Sequence, residues 1–167
     1  QLGNTVAVGR NAGNTDQGIN GLAIGYVAGE NNQGAQSISV GFQSGRTNQS
    51  DNSVSVGNSA GRSEQGGQSV AIGLNAGDSS QGGNSVAIGT NAASLSQGSN
   101  GVAIGLFAGK DNQSNSSVAV GYEAGETSQG ASSIAVGYLA GNATQGVSGV
   151  AIGVNAGRAT QGDYSVA

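Results

Sequence analysis

The run Val6-Ala7-Val8-Gly9 returns as Leu22-Ala23-Ile24-Gly25, then as Ile38-Ser39-Val40-Gly41, and so on to Val150-Ala151-Ile152-Gly153. The step is sixteen residues each time, with no insertion or deletion. A strict period this short constrains the fold severely. One unit holds a single short strand and cannot bury an apolar face alone, so burial must come from stacking unit on unit. Taking Thr5 as position 1, the consensus is S-V-A-I-G-x-x-A-G-x-x-x-Q-G-x-x. Ten full copies make 1–167 one repeat array with no room for a linker or second domain. An eleventh copy is cut off at Val166-Ala167, which points to a fragment of a longer fibre.

Each position has a physical reading. Positions 2 and 4 are always Val, Ile or Leu, and position 3 is always Ala or Ser, which is the period of a short strand. This predicts that positions 2 and 4 stack on themselves along an inner face, with position 3 turned outward. Position 5 is Gly in every copy from Gly9 to Gly153, as expected of a corner needing positive φ or close backbone approach. Position 8 is Ala except Ser44, position 9 is Gly except Ala93, and position 14 is Gly except Ser50 and Ser114. Positions 10, 11, 12, 15 and 16 are mostly polar and variable, and read as solvated loop.

Position 13 is Gln without exception: Gln17, Gln33, Gln49, Gln65, Gln81, Gln97, Gln113, Gln129, Gln145 and Gln161. The pattern predicts a ladder of amides bonded to equivalent amides or to turn backbone in adjacent coils. Without such partners a buried Gln would cost about 1–3 kcal/mol per coil. Asn20-Gly21 and Asn100-Gly101 would ordinarily signal hairpins, but the flanking strands repeat in phase, with no opposed strand pattern. The expected fold is therefore all-β: a parallel β-solenoid, or β-roll, of sixteen residues per coil. At a strand spacing of about 4.8 Å its coils would form a rod on the order of 50 Å long.

Composition removes most chemistry. With no Cys and no His there is no disulfide framework, no thiol or imidazole catalyst, and no zinc or haem site of the usual kind. Only 8% of residues are charged, the net charge is −4, and the cations are scattered, so the electrostatic footprint of nucleic-acid binding is missing. No apolar run approaches the length of a membrane span, no signal-peptide pattern opens the chain, and this segment is not expected to insert into a membrane. Gly105-Leu106-Phe107-Ala108-Gly109-Lys110-Asp111 falls short of a P-loop in its glycine spacing, and Asp rather than Ser or Thr comes after its Lys. The acids are dispersed, and Glu123 and Glu126, the one close pair, sit on a variable turn. Neither an enzyme nor a bound metal or cofactor is expected. Sequons at Asn48, Asn112, Asn115 and Asn142 would matter only in a eukaryotic secretory pathway.

Position 6 is the most informative variable site. Tyr26, Phe42, Leu74, Leu106, Tyr122, Tyr138 and Val154 form an apolar and aromatic stripe there, broken by Arg10, Asn58 and Thr90. Phe107 and Leu139, each one residue further on, extend it into local patches. The stripe reads either as a platform for a host-surface glycan or protein receptor, or as filler for a groove between protomers, and the groove is the preferred reading. Position 10 carries most of the charge and places Glu30 beside Arg46, Arg62 beside Asp78 and Lys110 beside Glu126. These are expected to be surface pairs worth about 0–1 kcal/mol each. The smallness of position 3 predicts that something covers it. A thin core would gain from several chains packing round an axis, so a homotrimer is expected.

Ser69-Val70-Ala71-Ile72-Gly73 and Ser85-Val86-Ala87-Ile88-Gly89 carry a motif that resembles the head repeats of YadA-like trimeric autotransporter adhesins. The resemblance implies a left-handed parallel β-roll, three of which pack side by side. The added A-G-x-x-x-Q-G segment makes the unit longer than those head repeats, and similar to repeats in fibre-like proteins of phages and large viruses. Together they imply an extracellular structural or adhesive fibre segment, on a microbial surface or a virion, that presents a receptor-binding region. A filament subunit adding end to end is the alternative. An ice-binding solenoid is disfavoured because Gly21, Gly101 and Gly149 break position 1 and no Thr-x-Thr row exists.

Overall fold

The computed structural model describes residues 3–167. Each repeat forms one rung of a parallel β-solenoid. Ten strands, from Val6–Val8 to Val150–Ile152, succeed one another in chain order in a single sheet. Neighbours pair parallel and in register at the sixteen-residue step, as in Val70↔Val86, Ala71↔Ala87 and Ile72↔Ile88.

On another side of the rung, Thr15–Gln17, Asn31–Gln33 and Thr47–Gln49 form a short sheet, and Ser128–Gln129, Thr144–Gln145 and Thr160–Gln161 form a second. Single parallel bridges from Gln65↔Gln81 to Gln113↔Gln129 carry the glutamine column between them. Backbone pairing extends beyond the strands. Gly73 N donates to Val56 O at 2.9 Å, Asn75 N to Asn58 O at 2.9 Å and Gly82 N to Gln97 O at 2.8 Å, so corners as well as strands are held by the rungs on either side.

The strand faces are the reverse of the expectation from size. Ala23, Ala71, Ala87 and Ala103 at position 3 are fully buried, and so are Ser39 and Ser55. The Val and Ile of positions 2 and 4 face outward, with Ile24 37% and Ile72 38% exposed. The reason is the width of the rung. Its interior is filled from one side by position 3, from another by the Ala of position 8, and across the middle by the Gln side chain. These meet closely: a methyl built on Gly29 would lie 3.3 Å from Ala23 Cβ and 2.7 Å from Gln33 Oε1. No Val or Ile fits that space without forcing the rung apart. Position 3 is therefore small because it lines the interior, not because a neighbouring chain covers it.

The corners are built from left-handed residues. Position 7 has positive φ in every rung and position 16 does so as well, as at Asn75 (φ 53) and Asn84 (φ 55). Asn and Ser are frequent there because short polar side chains tolerate that region. Val27 (φ 49) and Leu139 (φ 57) tolerate it less well, and both are buried. At position 5, Gly73 has φ +129, and a methyl on it would sit 2.6 Å from Gly89 O in the next rung. Glycine is required there on both counts.

Candidate functional site

The rung interior has one polar component common to every coil, the Gln of position 13, and its hydrogen bonds are local. Gln81 Nε2 donates to Val70 O, in its own rung, at 2.8 Å. It also donates to Gln97 Oε1 in the next rung at 3.2 Å, while Gln81 Oε1 accepts from Gln65 Nε2 at 3.2 Å. The same amide-to-amide link runs from Gln49 to Gln65, from Gln97 to Gln113 and from Gln145 to Gln161. Where position 3 is Ser the hydroxyl joins in: Ser39 Oγ donates to Gln49 Oε1 and Ser55 Oγ to Gln65 Oε1, each at 2.5 Å. No amide donates to the Oε1 atoms of Gln17, Gln33, Gln129 and Gln145, which are buried without a partner. The column satisfies backbone carbonyls and most of its own amides, and each of these side chains is enclosed by its rung rather than offered to a substrate.

The outward sheet face is the largest feature the molecule offers a partner. Two columns of β-branched and Leu side chains run along it, from Val6 and Val8 to Val150 and Ile152. Beside them lies the position 6 stripe, in which Tyr26, Phe42, Leu74, Leu106, Tyr122, Tyr138 and Val154 are all exposed. Rings on consecutive rungs stack: Tyr26 on Phe42 at 5.5 Å between centroids and Tyr122 on Tyr138 at 5.1 Å, each pair with planes 11° apart. Arg10 lies over the Tyr26 ring at 5.8 Å. Stacking turns ring faces toward each other, and a sugar binds an aromatic through its face, so the pairs have little to offer a glycan. Phe107 is half-buried beneath Lys110 Nζ, 5.5 Å from the ring centroid, and Leu139 is only 8% exposed. Neither adds much to the accessible stripe.

Position 10 forms the three expected pairs along the rod. Arg46 Nε donates to Glu30 Oε2 at 2.8 Å, Arg62 Nε lies 2.9 Å from Asp78 Oδ1, and Lys110 Nζ is 3.7 Å from Glu126 Oε1. Burial raises the Asp78 carboxyl above its ordinary value of 3.8 despite the opposing pull of the Arg62 guanidinium. A hydrogen bond to Glu123 and the charge of that carboxylate, with smaller contributions from its surroundings, raise the Tyr122 phenol above 10.0. Glu126 is occupied structurally, since its Oε2 accepts from Asn142 Nδ2 at 3.1 Å. Among the described residues no three or more Asp or Glu side chains come together as metal ligands would.

An open depression of about 320 Å³ between two rungs is lined by Ser96, Gly98, Asn112, Gln113, Ser114 and Asn115. Asn115 Oδ1 there already accepts from Ser99 N at 2.9 Å. The depression is lined by no charged or aromatic side chain. Comparison with family models, with curated proteins and with solved structures returned no match.

The apolar outward columns are what the size-based expectation missed. The signal was present in the invariance of position 3: Ala or Ser in every copy marks a wall with no spare volume, whereas Val, Ile and Leu interchange freely at positions 2 and 4.

Proposed function

We propose that this chain is a structural segment, shaft or head, of an extracellular trimeric fibre on a microbial surface or virion. Its task would be to hold a receptor-binding region at a fixed distance. The observation that carries this reading is an uninterrupted stack of ten rungs whose apolar side chains lie outside rather than inside. Three-residue strands about 10 Å wide, stacked over about 48 Å, give an apolar face of about 500 Å². An ordinary monomer's largest apolar patch is about 300–600 Å². The position 6 stripe widens this one toward the roughly 800 Å² per partner of a stable interface. The occupant that best fits so long, straight and regular a surface is a second and third copy of the same chain, with equal length, rung spacing and apolar character. The resemblance to YadA-like head repeats supports the three-fold arrangement and the extracellular setting.

In sedimentation velocity the chain is expected to run at three times its mass of 15.9 kDa. Cross-linking should give a trimer ladder. A stable folded monomer at micromolar concentration would overturn the proposal.

A further inference from the structure

The sequons at Asn48, Asn112, Asn115 and Asn142 match one motif equally well, but the fold makes different use of their amides. Asn142 Nδ2 donates to Glu123 O and to Glu126 Oε2, both at 3.1 Å, so both of its hydrogens are engaged. Asn48 Oδ1 accepts from Asn32 Nδ2 at 2.9 Å, and Asn115 Oδ1 accepts from Ser99 N at 2.9 Å. Asn112 is exposed, and its side chain makes no hydrogen bond among the described residues. We infer that Asn112 is an attachment site for a sugar, which the folded chain takes from a nucleoside diphosphate sugar through a glycosyltransferase. Asn112 Nδ2 attacks C1 of the sugar. The bond from C1 to nitrogen forms, the bond from C1 to the diphosphate oxygen breaks, and one amide hydrogen leaves as a proton. The nucleoside diphosphate departs. Because the acceptor is a folded rung, a secretory pathway is not needed. The inference goes beyond the fibre reading and does not depend on it, since position 12 lies on the side of the rung that carries the short sheets, not among the Val and Ile columns.

The surroundings of Asn112 suit an attached sugar. Its φ is 58, and the residues at the same position on the adjoining rungs, Ser96 and Ser128, are short. The open depression of about 320 Å³ lies beside it and has room for a sugar ring. Ser96 and Ser114 line that depression with hydroxyls that form no hydrogen bond among the described residues, so they are available to the hydroxyls of the sugar. Ser114 is also the hydroxyl residue of the sequon itself. A sugar on Asn142 would replace a hydrogen that the fold uses, and the bond to Glu123 or to Glu126 would be lost. A sugar on Asn112 breaks nothing. One net hydrogen bond corresponds to roughly a tenfold change in an equilibrium.

The test uses UDP-glucose and a soluble asparagine glucosyltransferase that accepts all four sequons as synthetic peptides. The folded chain is treated with the same enzyme, and peptide mass spectrometry gives the rate at each Asn. Dividing by the rate of the matching peptide removes the preference of the enzyme itself. The quotient at Asn112 should exceed those at Asn48, Asn115 and Asn142 at least tenfold. Asn112→Gln should abolish most of the glucose uptake while its circular dichroism matches that of the parent. The chain glucosylated at Asn112 should unfold at the same urea concentration as the unmodified one. An equal or larger quotient at another sequon would overturn the inference. So would a folded chain that leaves Asn112 bare, or a urea midpoint lowered by the sugar.

Discussion

Gly73 and Gly77 stand four residues apart in one rung, yet the backbone asks different things of them. At Gly73 a methyl would meet the Gly89 carbonyl oxygen of the next rung at 2.6 Å, and φ is +129. At Gly77 φ is +54 and the nearest obstacle, at 2.9 Å, is the Oε1 of a Gln side chain. The chain itself places Ala93 at the equivalent position, with φ 48. Gly73→Ala is therefore expected to cost about 3 kcal/mol or more, and Gly77→Ala about 1–2 kcal/mol. Urea denaturation midpoints of the two variants check the order. The glutamine column gives a second comparison. Gln81→Leu keeps most of the volume but strands Gln97 Oε1 and takes one partner from Val70 O and from Gln65 Nε2, which keeps its bond to Val54 O. A loss of about 3 kcal/mol is expected in the same assay, because stranded buried groups cost about 1–3 kcal/mol each.

At the scale of the rung, polar pairs along the rod matter less than the stacking that brings them together. Arg62 and Asp78 meet because position 10 of one rung lies beside position 10 of the next. Burial nevertheless makes the Asp78 carboxyl harder to ionise in the folded chain than in the unfolded one. Between the unfolded and folded pKa values the folded state binds more protons, so this residue's contribution to stability falls as pH rises through that window. Asp78→Asn removes the titration. The stability of the variant relative to the parent should be highest at neutral pH and should decline as pH falls through the raised pKa. Denaturation midpoints from pH 7 down to pH 4 measure it. A difference that grows on acidification would contradict the assigned cause.

For the whole molecule, the exposed β-branched columns are the main unsatisfied feature. Hydrophobic burial inside a rung is limited almost entirely to Ala, and the amides that cross the interior bond to backbone carbonyls of their own rung and, in five places, to the amide of the next. Under the proposed self-association, further stabilisation comes from covering the outside. Ile72→Lys with Ile104→Lys tests this, since both residues are more than a third exposed in the single chain and the rungs should form unchanged. In the proposed assembly the two ammonium groups would be buried without partners. Association is expected to weaken at least about a hundredfold. Sedimentation should show monomers whose circular dichroism matches that of the parent.

Rung length, the parallel register, the corner glycines and the column of Gln were legible in the sequence because a strict period forces equivalent residues into equivalent places. Val6, Ala7 and Val8 also announced a two-faced strand. Which face lay inside was not legible from that alternation, because period 2 is the same for either choice, and size suggested the wrong one. That was decided by closure of the coil. Sixteen residues turning through left-handed corners at positions 7 and 16 enclose room for Ala, Ser and one Gln amide, and the larger Val and Ile are left on the surface.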